Sequence, residues 1–259
     1  MLTEENWTKS LKNNAISIIS SGCRNESLEA KATVLQEIYQ SDLPDSEKTI
    51  QRFIEEAQTL LVAGSETTGN TLTLTTFYLL ADPKRAGKLK QELVQVGDQH
   101  SPLVYHDLQR LPYLTASITE GLRISSSVAG RLPRINPHAA MNYKDFIIPA
   151  GAAVSMSIRD VNLNETIFPN ADHFIPERWL GDSEKRQVLE KYMVAFGRGP
   201  RNCIGMSLAL VELYLVIGNL FRDYDMKLVE TREEYLKMTH DFFSPFGPAD
   251  SKGLRVKVE

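Results

Sequence analysis

Cysteine is scarce in this chain: Cys23 and Cys203 are the two among 259 residues. Two thiols cannot build a disulfide framework, and neither belongs to a paired Cys/His spacing of the structural zinc kind, so a reducing compartment fits best. A basic excess is lacking too. The net charge of −4 argues against a nucleic-acid partner or an anionic lipid surface. No long apolar run opens the chain. MLTEENWTKSLKNN is polar, without the apolar core of a signal peptide or membrane span; the chain as written is read as having no anchor and as cytoplasmic if made in this form. Internal repeats, low-complexity tracts and a Pro/Gly/Ser linker are absent as well. Residues 1–259 are therefore read as one domain, with 1–26 left as an N-terminal segment of uncertain form.

What is present is apolar residue at helical spacing. A hydrophobic content of 42% is enough for a substantial core. Helical patterns run over 27–40, then over 47–81 up to Asp82-Pro83. At about 1.5 Å per residue the second would extend roughly 50 Å, the length of a central helix. Further helices are expected over 84–96, from Pro112 to about Ile124, and over 204–221. Between them RLPRINP, DFIIPAG and AAVSMSI are short, β-branched or Pro/Gly-punctuated and suggest a small sheet, while MKLVE and LRVKVE suggest terminal strands. The expected class is mainly α with minor β.

Three segments carry chemistry. In FGRGPRNCIG, glycines at 197, 199 and 205 and Pro200 impose turns and let backbone approach a flat ligand, with Arg198 and Arg201 beside Cys203. A thiol among cations at a helix start can ligate a metal or act as a nucleophile, although a lone cysteine is more often an inert core residue. In the long helix, LLVAG turns abruptly to Ser65, Glu66, Thr67 and Thr68. Ala63, Gly64, Thr67 and Thr68 share a stripe at i, i+3 and i+4 spacing; it could face a planar ligand, permit a local widening or kink, or serve close helix packing. Glu120 and Arg123 stand at i, i+3, which by itself reads as a weak, solvated pair.

Together these segments resemble the cytochrome P450 family. Phe196, Gly199, Arg201, Cys203 and Gly205 match its F-x-x-G-x-R-x-C-x-G signature. AGSET matches its oxygen-binding helix, EGLR its E-x-x-R element, and PERW its P-E-R-F element with Trp179 for the usual phenylalanine, a change expected to be harmless. The four motifs stand in family order. The resemblance implies haem b with Cys203 as axial iron ligand, Phe196 packed beside the sulfur, and Arg201 and Arg134 meeting haem propionates. Ala63, Gly64 and Gly205 would adjoin the haem. Thr67 would hydrogen-bond dioxygen or its water and Glu66 would relay protons, the general-acid part of the reaction. Glu120, Arg123 and Arg178 would interlock as a structural triad beneath the cysteine loop. Val128 and Ala129, with Phe242 and Phe243, would contact substrate.

The same resemblance implies a monooxygenase that inserts one oxygen atom from O2 into a lipophilic small molecule, with electrons from a separate NADPH-cytochrome P450 reductase. The texture of AGSETTGNTL, PERWLGD and FGRGPRNCIGMSLALVEL most resembles filamentous-fungal members of secondary metabolism. Full-length relatives would sit on the cytosolic face of the endoplasmic reticulum membrane. Only the C-terminal portion of such a protein is matched, so two alternatives stand beside the first: an inactive remnant, and a haem-thiolate peroxide isomerase or reductase.

Overall fold

A computed structural model describes residues 33–96 and 101–259, with positions 9, 13 and 16 before them. Cys23, most of 1–26 and the opening of the 27–40 pattern lie outside the described residues. The chain divides into two compact units, Met1–Ser65 and Glu66–Glu259.

In the first unit, α1 (Val34–Gln40) begins at Thr33, where Gln36 N–H donates to Thr33 Oγ1 and Gln36 Oε1 accepts from Thr33 N–H. This reciprocal cap satisfies donors that the first helical turn cannot. Phe53 and Ile54 bury against Leu35, Ile38 and Tyr39 as a small core. Residues 45–47 form a separate 3₁₀ turn after Pro44, so the helix expected from Glu47 starts instead at Ile50.

The long helix α2 runs Ile50–Ala81, and its backbone is α-helical at every residue, including Ala63–Gly69. The widening that its polar interruption allowed is not formed. Threonine back-bonding instead closes within the helix: Thr71 Oγ1 donates to the Thr67 carbonyl at 3.0 Å.

In the second unit, α3 (Pro83–Leu93) is capped by Asp82, with Pro83 in its first turn. The short α4 (Tyr105–Leu108) leads to α5 (Pro112–Ser125). Although length pointed to α2 as the central element, the second half of α5 is largely buried, with Thr119 and Leu122 half-buried. It reaches closest to α2 at Gly121, where any Cβ would run into Thr75 Oγ1. A core of Leu74, Leu79, Leu89, Leu93, Leu114, Ile118, Leu213 and Ile217 joins the end of α2 with α3, α5 and α8 (Met206–Asp223). Before α8 come α6 (Ile158–Asn162) and α7 (Ser183–Tyr192). Helix α7 was not anticipated, though Asp182 marks its start by accepting from Glu184 N–H.

Among the described residues the strands form four separate antiparallel pairs rather than one small sheet. β1 (Arg134–Ile135) pairs with β4 (Ala153–Val154), and β2 (Met141–Tyr143) with β3 (Phe146–Ile148). The expected terminal strands β5 (Met226–Leu228) and β8 (Val256–Val258) pair with Met226 opposite Val258. β6 (His240–Phe242) and β7 (Ser244–Phe246) make a tight hairpin. The fold is mainly helical with small antiparallel sheets.

Candidate haem-thiolate site

The cysteine segment is shaped by its glycines. Gly197 and Gly199 hold φ of +73° and +79°, a left-handed backbone that a side chain strains to adopt. Gly197 N–H donates to the Val194 carbonyl at 2.8 Å, and Cys203 N–H closes the loop on the Phe196 carbonyl at 2.8 Å. Phe196 is thus joined to Cys203 through backbone. Gly205 precedes the first residue of α8, and a Cβ there would stand 3.9 Å from Cys203 Sγ.

Cys203 is exposed, as are Arg198 and Arg201. Beside the thiol, Ile204 is 96% and Leu208 62% exposed, an unusual position for branched aliphatic side chains at a helix start. A soft sulfur donor, an apolar rim and two guanidiniums suit a flat, apolar, anionic macrocycle carrying a metal. They do not suit a bare ion: among the described residues no group of three or more His, Cys, Asp or Glu could hold one.

Glu120, Arg123 and Arg178 are brought together. Glu120 and Arg123 are fully buried, and the Arg178 side chain is 8% exposed, so a pair whose spacing alone reads as solvated is desolvated within the triad. Glu120 Oε1 accepts from Arg123 Nη2 at 2.7 Å, Arg178 Nε at 2.9 Å and Ile175 N–H at 2.9 Å. Its Oε2 accepts from Arg123 Nε at 2.9 Å and from the Trp179 indole N–H at 2.8 Å. Burial alone would raise the carboxyl's pKa. The Arg123 hydrogen bonds, both guanidinium charges and the Ile175 amide outweigh it and hold Glu120 below the ordinary carboxylate value.

One carboxylate faces two cations, and backbone carbonyls take up the remaining donors. Arg123 Nη1 reaches Asn162 and Ala171, its Nη2 also reaches His173, and Arg178 reaches Pro169 and Asn170. The segment 162–173 is thereby wrapped around two arginines. Trp179 is not a neutral replacement for phenylalanine, since its indole supplies a donor to Glu120 that a phenyl ring lacks.

The two predicted substrate-facing stretches also meet. Ala129 N–H donates to the Phe243 carbonyl at 3.1 Å, and Gly130 approaches Phe243 closely. Phe243 holds a φ of 75° at the β6–β7 turn, stabilised by its N–H bond to Asp241 Oδ1 at 3.0 Å. Phe242 and Phe243 are exposed, Ala129 is buried and Val128 half-buried.

The remaining predicted positions lie on β1 and α2. Arg134 is exposed and donates to the neighbouring Leu132 and Pro133 carbonyls. Glu66 is exposed and Thr67 half-buried on α2. Ala63 and Gly64 belong to the first unit, where both are exposed. Two participants escaped the sequence reading: Trp179 as a donor, and Asn162, which is fully buried. The indole N–H was legible in PERW, whereas Asn162 carries no local signal because its partners lie far along the chain.

The chain matches the Cytochrome P450 family over residues 8–249. It is 42% identical over 230 residues to cytochrome P450 monooxygenase sdnE of Sordaria araneosa, covering 87% of this chain and 44% of that protein. It is 40% identical over 247 residues to tryptophan 6-hydroxylase fscE of Fusarium equiseti, covering 95% of this chain and 48% of that protein. A further relative is N-acetyltryptophan 6-hydroxylase ivoC of Emericella nidulans, at 40% over 231 residues, with 88% and 45% covered. The chain spans about half the length of the curated relatives it matches. It belongs to the cytochrome P450 family, whose cofactor is haem with a cysteine thiolate on the iron. Among the described residues no helix is long and apolar enough to cross a membrane.

Proposed function

We propose that this chain carries the haem-thiolate part of a monooxygenase, in which the Cys203 thiolate would hold the iron of haem b. The observation that carries the reading is the exposed Cys203 thiol, held by the Phe196–Cys203 backbone bond beside Arg201 and the exposed Ile204 and Leu208. Haem, when bound, supplies the redox chemistry that places one atom of O2 on the substrate.

The chain's own residues bind, orient and move protons. Cys203 donates its sulfur, and Phe196 and Gly205 shape the space around it. Arg201 and Arg134 would pair with the propionates. The Thr67 hydroxyl holds a proton at Oγ1, and Glu66, exposed on the preceding residue, passes protons to it from solvent. Glu120, Arg123 and Arg178 act as a scaffold. Val128, Ala129, Phe242 and Phe243 contact a lipophilic small molecule, an intermediate of fungal secondary metabolism; the exposed phenyl rings suit an apolar or aromatic face. Electrons come from a separate NADPH-cytochrome P450 reductase, on the cytosolic face of the endoplasmic reticulum membrane. Residues 1–259 are read as a single partial domain of the full-length enzyme.

Titration of the purified chain with haem tests the reading. One equivalent is expected to bind, with Arg201→Ala weakening retention. Equal haem uptake by wild type and Cys203→Ser, with identical spectra, would contradict it.

A further inference from the structure

We propose that Asn162 is a positioning residue for Cys203, its side-chain amide coupling the buried ion network to the cysteine segment. The proposal deepens the reading of Cys203 as a haem ligand and rests on it.

Asn162 is 0% exposed, and three parts of it are engaged at once. Its carbonyl accepts from Arg123 Nη1 at 2.8 Å. Its Nδ2 donates to Ser126 Oγ at 3.4 Å, and Ser126 Oγ in turn donates to the Arg123 carbonyl at 2.9 Å. A closed ring results: the Arg123 side chain reaches the Asn162 main chain, and the Asn162 side chain returns through Ser126 to the Arg123 main chain. Ser126 is fully buried and sits at φ 40°, the left-handed C-cap of α5. A serine in that conformation costs on the order of 1 kcal/mol and persists where its surroundings hold it; here the ring does so.

The remaining atom points at the cysteine segment. Asn162 Oδ1 accepts from Val194 N–H at 3.3 Å. The Val194 carbonyl accepts from Gly197 N–H, opening the left-handed turn after which Cys203 closes on Phe196. Movement of α6 or of Arg123 therefore reaches the loop through Val194.

The chemistry of the position specifies an amide. Val194 N–H needs an acceptor, while Ser126 Oγ, its proton committed to Arg123, needs a donor. Asparagine supplies both. A leucine of similar size supplies neither and leaves the Val194 N–H without its partner. An aspartate keeps the acceptor and loses the donor. Separation of Val194 from its acceptor frees the start of the loop and broadens the positions Cys203 Sγ can take. A ligand held less firmly exchanges thiolate for thiol coordination more readily.

Amide hydrogen exchange, Cys203 labelling in the haem-free chain, and the carbon monoxide spectrum of the reduced, haem-loaded chain test this together. Wild type is expected to protect the Val194 amide. Asn162→Leu is expected to exchange there about tenfold faster, roughly one hydrogen bond's worth, to label faster at Cys203, and to shift from the thiolate-type toward the thiol-type Soret band while helical circular dichroism is unchanged. Asn162→Asp is expected to keep Val194 protected. The proposal is overturned if the wild-type Val194 amide exchanges like an open loop, a result that needs no variant to fold, or if Asn162→Leu matches wild type in all three readouts. Loss of Val194 protection together with faster Cys203 labelling in Asn162→Leu, without any thiolate-type band in wild type, supports the coupling and sinks the haem reading instead.

Discussion

The Trp179 indole donates to Glu120 Oε2 at 2.8 Å, completing five donors on one buried carboxylate. Without it Oε2 would keep Arg123 Nε as its donor among the described residues. Trp179→Phe is expected to lower stability by about 1–3 kcal/mol, combining a lost charge-assisted bond with a smaller ring packed on Phe168. Urea denaturation measures it, and an unchanged midpoint would remove Trp179 from the network.

Glu120→Gln keeps the shape and removes the charge. Two arginines would then lie desolvated without a counter-ion, which costs about 3–5 kcal/mol when a buried pair is broken. Chemical denaturation at neutral pH is expected to show this loss, and it should exceed that of any exposed pair such as Arg186 with Glu190.

The same carboxylate sets a pH dependence. Its folded pKa lies below the ordinary 4.5, so the unfolded chain binds its proton first on acidification. Its contribution is complete above that ordinary value and is lost as pH falls through the lowered folded value. Stability measured against pH should therefore fall on the acid side of 4.5, and Glu120→Gln should flatten this part of the profile.

Gly121 separates α5 from α2 at Thr75. Gly121→Ala raises helix propensity by about 1 kcal/mol, yet the added methyl meets Thr75 Oγ1 and overpacks a buried helix crossing, costing typically 1–3 kcal/mol. A net loss of thermal stability is expected, and Gly121→Ala with Thr75→Ala, which removes the hydroxyl the new methyl meets, should recover part of it.

Much of this was legible in the chain itself. Cys203, Glu120, Arg123 and Arg178 stand out because four motifs share one order, and the strong 3.6-residue patterns of α2, α5 and α8 locate those helices to within a few residues. Burial was not legible. The i, i+3 spacing of Glu120 and Arg123 by itself suggests a surface pair, and the motifs that join them to Arg178 say nothing of the 162–173 segment that wraps and buries them. Asn162 and Ser126 gave no signal, since their roles arise from contacts across tens of residues. The segments of β1, β3, β4, β5 and β8 were placed, but β2, β6 and β7 and every pairing were not, because two- and three-residue segments carry too little alternation to mark a strand or fix its partner.

The central claim is that the Cys203 thiolate binds haem iron. Its most direct measurement is the difference spectrum of the reduced, haem-loaded chain with and without carbon monoxide, for wild type and Cys203→Ser. A thiolate-type Soret band in wild type, absent from Cys203→Ser, is the predicted result; a folded, haem-loaded wild type without that band, or a Cys203→Ser variant that retains it, would contradict the claim.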